Sequence, residues 1–442
     1  MSSPVQQIRD HHGRRYRIGE QPRELMGRSR TWMLLLCWAP MLLVGTGQYA
    51  YGAALPSMAT DRGWPLGSSL WPLAVWTIFQ AGAGYPVAHL RQRHRIGPRP
   101  MMILGALLCL ASPLTLAHAQ SLPGMLVGYS VLGGTGAGLI YATCTSTVAK
   151  WYPERAASRV SAVTGAFAYG SVPFIVALVV GVDAGTVPVA FDGFGMLLFA
   201  VVLACGMLFT DPPRDWWPSH IDPRQWASSG RLNPGRLRNP PAVRQYTAAE
   251  ALRTPALPVM YACLFCAGSV SLFNAVLLVV FTTRLDYGPW SVAVLAAAFA
   301  GVNGAGRALA IRVSDRVGRR RVLAWSLGIQ GAGQFCLLLA AAGATGGVLA
   351  AGTVLAGLGG GAFYPLFASL AREFFGENSS AEVHGVIYSA KAFSGVAGVG
   401  MAVLALGPWG CAPVFAAAGF LALCSAVLTR TLRRPGMPRT LP

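Results

Sequence analysis

The 442-residue sequence is short of charge, with Asp, Glu, Lys and Arg making up 12% of it, about half the roughly 25% usual in soluble domains. That excludes an ordinary cytosolic enzyme. Acidic residues are the scarcer sign, 16 against 35 basic ones, and all lie in tails, loops or helix ends, the deepest being Asp192 near the start of an apolar run. Histidine is missing from the same depths: His11, His12, His94, His118 and His220 fall in tails or connections, and His89 and His384 at segment boundaries. Without deep His, Asp or Glu there is no proton relay, no nucleophile with an activating base and no metal cluster. The reading is therefore of a protein that is not an enzyme, with no catalytic residue, metal or cofactor. Lysine is nearly absent, occurring only as Lys150 and Lys391. The nine cysteines lie in apolar stretches with no paired extracellular spacing. Cys263 and Cys266 are one helical turn apart within the apolar run 256–281 and read as small packing residues.

What the chain has in abundance is apolar length, with 54% hydrophobic residues. Twelve runs of about 20 residues, each able to cross roughly 30 Å of hydrocarbon, fall near 31–55, 68–90, 101–119, 124–149, 160–181, 187–209, 256–283, 291–313, 322–342, 347–370, 383–406 and 410–428. They leave no room for a large soluble domain. The first run follows about 30 polar, Arg-rich residues and is long enough to span, so it reads as a retained helix rather than a cleaved leader. The expected organisation is an N-terminal tail (1–30), a six-helix bundle (31–209), a linker rich in Arg, Pro, Ser and Trp (210–255), a second six-helix bundle (256–430) and a C-terminal tail (431–442).

Net charge is +19, which in a soluble protein would raise nucleic acid as a partner. Here the basic residues sit in short clusters between apolar runs, so they read as topology signals and no nucleic-acid partner is expected. Of the 35 Lys and Arg, 31 fall in the tails, the linker and alternate loops, whereas the opposite loops hold Arg62 and Arg284. The positive-inside rule then places both termini and the linker in the cytoplasm, in a multi-pass protein of the plasma membrane surrounded by lipid.

The two halves resemble each other at a period near 220 residues. Gly134, Gly136, Gly138 and Tyr141 recur as Gly357, Gly359, Gly361 and Tyr364, and Trp151-Tyr152 as Phe374-Phe375, at an offset of 223. A basic turn with Arg95, Gly97 and Arg99 recurs as Arg316, Gly318 and Arg320, at an offset of 221. Glycines two apart do not share one helix face, so the cluster is expected to loosen the backbone as well as pack it.

The remaining two cations, Arg307 and Lys391, lie inside apolar runs, where each costs about 2.5 to 3.5 kcal/mol on insertion scales. Arg307 is expected about six residues, or roughly 9 Å, before the end of the eighth run, and Lys391 about eight residues, or roughly 12 Å, into the eleventh. Both would stop short of the midplane from the same side. Snorkelling to the interface is the ordinary alternative, but the cost is incurred twice without a carboxylate partner. The missing counter-ion reads most simply as the substrate. At the offset of 221 Arg307 falls opposite Pro86, and at an offset of 226 Lys391 falls opposite Gly165, so neither cation belongs to the shared scaffold. Gln48 and Tyr49 in the first run, Tyr141 in the fourth, Tyr364 in the tenth and Tyr388 one turn before Lys391 lie at similar depth, and a tyrosine offers an apolar wall with a hydroxyl suited to a carboxylate oxygen.

These motifs resemble the major facilitator superfamily and, within it, the oxalate/formate antiporter family. Ser314-Asp315-Arg316-Val317-Gly318-Arg319-Arg320 is similar to the superfamily's D-R-x-G-R-R loop. The first-half copy departs from it, with His94 where an Asp is expected. The narrower likeness rests on Gly134 to Tyr141 leading into Lys150-Trp151-Tyr152-Pro153, on Asn303-Gly304-Ala305-Gly306-Arg307, and on Tyr388-Ser389-Ala390-Lys391. The resemblance covers about residues 31 to 430. It implies an all-α membrane protein of twelve helices in two pseudo-symmetric bundles, the major facilitator fold. It also implies a monomer that exchanges small organic anions by alternating access, with a symporter or exporter of monocarboxylates or hydrophobic drugs as the alternative. In oxalate carriers of the family an Arg of the eighth helix and a Lys of the eleventh bind the two carboxylates, and Arg307 and Lys391 match those positions. Gln48, Tyr49, Tyr141, Tyr364 and Tyr388 are similar to pocket positions, and Asp315, Arg316, Gly318 and Arg319 to a conformational loop. Family pockets close with tryptophans, whereas this chain has Tyr388 and Gly360, which implies a roomier cavity.

Overall fold

Apolar runs with no water to satisfy their backbone must close their hydrogen bonds internally, and every one of the twelve is helical. The computed structural model describes residues 6–9, 15–94, 96–182 and 185–436; Arg95 of the basic turn and the extremities of both tails lie outside the described residues. The first helix is assembled from Arg30–Val44, Thr46–Tyr49 and Tyr51–Asp61, the second from Leu66–Gly82 and Gly84–Arg93. The third to sixth are Pro98–His118, Leu122–Trp151, Pro153–Gly181 and Val187–Met207. The seventh to tenth are Ala256–Arg284, Pro289–Val317, Arg319–Ala341 and Gly346–Phe375. The eleventh joins Ser380–Tyr388 to Ala390–Leu406, and the twelfth is Cys411–Leu428.

The glycine clusters explain how the bundles pack. A Cβ on Gly134 or Gly138 would strike the carbonyl oxygens of Trp76 and Gln80 in the second helix at 2.7 and 2.5 Å, and one on Gly136 would strike Cys109 of the third at 2.6 Å. The second half repeats the pattern, with Gly357 and Gly361 against Phe299 and Asn303 of the eighth helix and Gly359 against Ser326 and Gln330 of the ninth. Both clusters stay α-helical, so the expected loosening does not occur there; wider π turns lie just before the first cluster, at Leu126–Gly133. The shared contacts fix the offset at 223 for this helix pair. Trp76 then corresponds to Phe299, Gln80 to Asn303 and Arg307 to Gly84, which corrects the register that set Arg307 opposite Pro86.

The halves meet where the second helix packs on the eleventh and the fifth on the eighth. At the latter crossing Gly165 and Gly304 face each other, and a Cβ on either would meet the other's carbonyl oxygen at 2.7 or 2.5 Å. The N-terminal tail is more than a polar leader: Gln6–Arg9 and Arg15–Ile18 form an antiparallel hairpin. It docks on the linker through Arg17 N–H to Asp215 O (2.7 Å) and Trp217 N–H to Arg17 O (2.9 Å). The linker carries two short helices, Pro223–Ser228 and Ala248–Leu252. Trp151 Nε1 donates to Thr210 O at its start, and further on Asn239 donates to Ser314 O and accepts from Arg319 N–H, so it is tied to both halves. Cys263 is buried, its thiol toward Ser425 O, as a packing residue would be.

Asp211 closes the first bundle where the His94 turn lacks its Asp. Its carboxylate takes both oxygens to Arg91 Nη2 at 2.7 Å and one to Lys150 Nζ at 2.5 Å. Burial works to raise this carboxyl, but Arg91 and Lys150 outweigh it and hold it below the usual range. Asp211→Asn strands two cations that are themselves partly buried, and is expected to cost about 3 kcal/mol, read as a lowered unfolding temperature of the detergent-purified protein. Because the folded carboxyl lies below its unfolded value of about 3.9, this stabilisation is complete above that pH. It is lost only as acidification passes through the lower folded value, so the gap between wild type and variant should stay constant across neutral pH.

Candidate functional site

Four helices are interrupted; the fifth breaks at Gly170 and Ser171, and in the other three the interruption sits beside a polar residue of the centre. The first helix resets at Gly45 and Ala50, framing Gln48 and Tyr49. The second resets at Ala83, one turn beyond Gln80, and the eleventh at Ser389, between Tyr388 and Lys391. Gly45 is required because a Cβ there would collide with the backbone of Phe167 in the fifth helix. Discontinuous membrane helices of this kind expose backbone and turn side chains toward an interior cavity.

Lys391 is 1% exposed, and its ammonium donates to Gln48 Oε1 at 2.6 Å, Gln80 Oε1 at 2.7 Å and Tyr388 OH at 3.3 Å. Arg307 is 2% exposed and donates from Nη1 to Thr164 O at 2.8 Å and from Nη2 to Tyr49 OH at 3.1 Å and Asn303 Oδ1 at 3.2 Å. Both cations also lie over the ring of Tyr364, 5.0 Å away for Arg307 and 5.9 Å for Lys391, so they share one chamber. Among the described residues no carboxylate pairs with either. Neutral dipoles solvate the two charges; nothing in their shell neutralises them.

Four polar groups around the two cations are buried without a partner: Arg307 Nε, Asn303 Nδ2, Trp76 Nε1 and the Tyr364 hydroxyl. Each unmet donor costs about 1 to 3 kcal/mol, which an acceptor-rich ligand would recover. Aromatic rings wall the chamber. Tyr141 stacks on Tyr388 across the halves at 5.3 Å and 12°, and Phe167 stands edge-on to Tyr141 and Tyr49. Tyr141, Tyr364 and Tyr388, with Gln80 and Thr164, form the floor of a cavity of about 580 Å³ that extends to the linker residues Ala227, Arg231 and Asn233. Gln48, Tyr49, Arg307 and Lys391 do not line it, so the tyrosines stand between the cations and the open cavity.

The seven expected site residues, Gln48, Tyr49, Tyr141, Arg307, Tyr364, Tyr388 and Lys391, thus converge. Counted from the helix ends rather than from the apolar runs, Arg307 stands ten residues before the end of its span and Lys391 eleven residues after the start of its own, roughly 15 Å in each case. The helices run past the apolar runs through residues 314–317 and 380–382. Sequence reasoning missed Gln80, Asn303, Thr164, Phe167 and Trp76, whose ring lies 5.8 Å from Lys391. The signal was there: Gln80 and Asn303 are isolated polar residues at equivalent repeat positions, and Asn303 stands one turn from Arg307. The expected roominess beside Gly360 is also limited, because a Cβ there would meet Ser271 Oγ at 3.1 Å. The conformational-loop residues lie apart from the chamber. Asp315 pairs with Arg319 at 2.6 Å, Arg319 also with Glu373 at 3.2 Å, Gly318 turns at φ 107°, and Arg316 is exposed.

Twelve helices in two like bundles, meeting around a central polar chamber, are the architecture of a membrane transporter. The chain belongs to the Major Facilitator Superfamily, whose model matches residues 38–399 and 259–442. It is 23% identical to the oxalate:formate antiporter of Oxalobacter formigenes, over 93% of each chain. Among solved structures it is similar in fold to a proton:xylose symporter, with a TM-score of 0.70 at 14% identity over 91% of this chain and 96% of that one. It is also similar to the human organic anion transporter MFSD10, with a TM-score of 0.58 at 15% identity over 90% and 99%.

Proposed function

We propose that this transporter exchanges small organic anions, carboxylates or dicarboxylates, by alternating access between residues 31–209 and 256–430. The tails and the linker 210–255 lie on the cytoplasmic side of the plasma membrane, following the distribution of basic residues. The observation that carries the reading is the pair of buried cations, Arg307 and Lys391, held by neutral oxygens and surrounded by donors without acceptors. In the mechanism Arg307 presents its guanidinium fork to one carboxylate and Lys391 its point charge to the other. Gln48, Gln80, Tyr49 and Asn303 position the two cations, and Tyr141, Tyr364 and Tyr388 wall off the ligand. An occluded empty carrier keeps two uncompensated charges away from water, at several kcal/mol per ion, whereas a bound dianion neutralises both. The loaded form therefore reorients faster, which favours exchange over net uptake. The oxalate:formate antiporter of Oxalobacter formigenes agrees with this reading in chemical class.

Counterflow into proteoliposomes, with a panel of mono- and dicarboxylates inside and outside, tests the reading. Uptake of a dicarboxylate should rise severalfold when a dicarboxylate is present on the trans side; uptake that is indifferent to trans anion, or restricted to hydrophobic drugs, would overturn it. The orientation has its own test. A single cysteine placed at the exposed Ser219 of the linker, in a background without native cysteines, should label in inverted vesicles but not from outside intact cells.

A further inference from the structure

The cavity between the tyrosine floor and the linker is uneven in charge. The carboxylates that line it are engaged: Glu154 with Arg30, Asp315 and Glu373 with Arg319, Glu377 with Arg372. Arg155 and Arg231 line it too, and among the described residues neither side chain forms an ion pair. Because Asp315 and Glu373 share Arg319, these pairs leave one negative charge against the two positive charges of Arg155 and Arg231, so the balance is positive, and a low-dielectric cleft focuses such a field on a small anion. The anion's path then meets His384. This residue occupies the second turn of the eleventh helix, lines the cavity, and sets its ring 5.6 Å from that of Tyr388. It forms no hydrogen bond or ion pair among the described residues. An imidazole offers at least one N–H in either protonation state. The donor is therefore available on the cavity lining beside Tyr388, whose stack with Tyr141 stands between cavity and chamber.

We propose that His384 is a second anion contact, a station on the linker side of the tyrosine layer where a carboxylate is held before it passes to Arg307 and Lys391. The proposal rests on the anion reading above and adds a site to it. Because the station is reached from one side only, its loss should be felt from one side only. That asymmetry separates a binding role from a structural one.

The test compares the half-saturating concentration for oxalate, with malonate as a second probe, in inverted vesicles and in intact cells. His384→Phe keeps a ring against Tyr388 and removes both nitrogens; His384→Gln keeps an N–H donor. Losing one hydrogen bond to a carboxylate is worth about tenfold. His384→Phe is expected to raise the half-saturating concentration about that much in inverted vesicles and to leave it unchanged in intact cells, with His384→Gln close to wild type. An equal rise from both faces, or no rise from either, would overturn the station, and His384→Gln behaving like His384→Phe would overturn the donor role. If the wild-type protein exchanges neither anion, the anion reading fails first. Lys391→Gln, measured beside them, tells the two failures apart, since it should impair exchange from both faces.

Discussion

Lys391→Gln is expected to abolish dicarboxylate exchange, by roughly a hundredfold or more, while the protein still folds and inserts. Glutamine is neutral and of similar reach, so the packing around position 391 is largely kept. What disappears is the charge that Gln48 Oε1 and Gln80 Oε1 now hold at 2.6 and 2.7 Å. Losing a buried charge whose partner is a ligand carboxylate leaves that carboxylate unpaired, a penalty of about 3 kcal/mol or more, which is the hundredfold. The variant chamber retains Arg307 as its one cation, so it suits a monoanion, and some monocarboxylate transport should survive. The trans effect should weaken as well, because an empty carrier with one charge reorients more easily than one with two. Exchange assays in proteoliposomes, with and without trans anion and normalised to protein incorporated, decide the matter. Robust dicarboxylate exchange in Lys391→Gln would remove the two-cation site.

The features visible in the sequence are those whose physics is local. Hydropathy marks twelve spans because each helix must satisfy its own backbone in lipid, and Arg307 and Lys391 stand out because a charge in an apolar run is conspicuous without any neighbour. The features that were hidden depend on contacts between distant segments. Gln80 is one polar residue among apolar ones until Lys391, 311 residues away, is placed beside it. The break at Gly45 follows from the backbone of Phe167 lying against it, which no periodicity in the first helix announces. The N-terminal hairpin exists because Asp215 and Trp217 of the linker complete its hydrogen bonds; its eight paired residues alone, Gln6–Arg9 and Arg15–Ile18, make a two-stranded hairpin that is marginal in water. The helix ends were hidden for a simpler reason. Apolar runs report where hydropathy changes, while the helices run on through residues 314–317 and 380–382.

Arg307→Lys keeps the charge and is nevertheless expected to lose most exchange activity, about 30- to 100-fold. The guanidinium joins three helices at once: Nη1 reaches the Thr164 carbonyl of the fifth, and Nη2 reaches Tyr49 of the first and Asn303 of its own helix. Its Nε remains without a partner, as do Asn303 Nδ2 and the Tyr364 hydroxyl, so the unused donors flank the planar group. A lysine ammonium is one nitrogen with three protons on a shorter, rotating stem. It can replace one or two of these bonds, but it cannot span from the Thr164 carbonyl to Tyr49 and still offer two parallel donors to a carboxylate. Tyr49 and Asn303, tied to each other at 2.9 Å, would lose the group that orients them toward the ligand. Two variants separate charge from shape. Arg307→Gln removes both and should be inactive, whereas Arg307→Lys removes shape alone. If exchange in Arg307→Lys ran at the wild-type rate with unchanged half-saturation, a cation of any form would suffice at this position, and bidentate recognition would have no part in the mechanism.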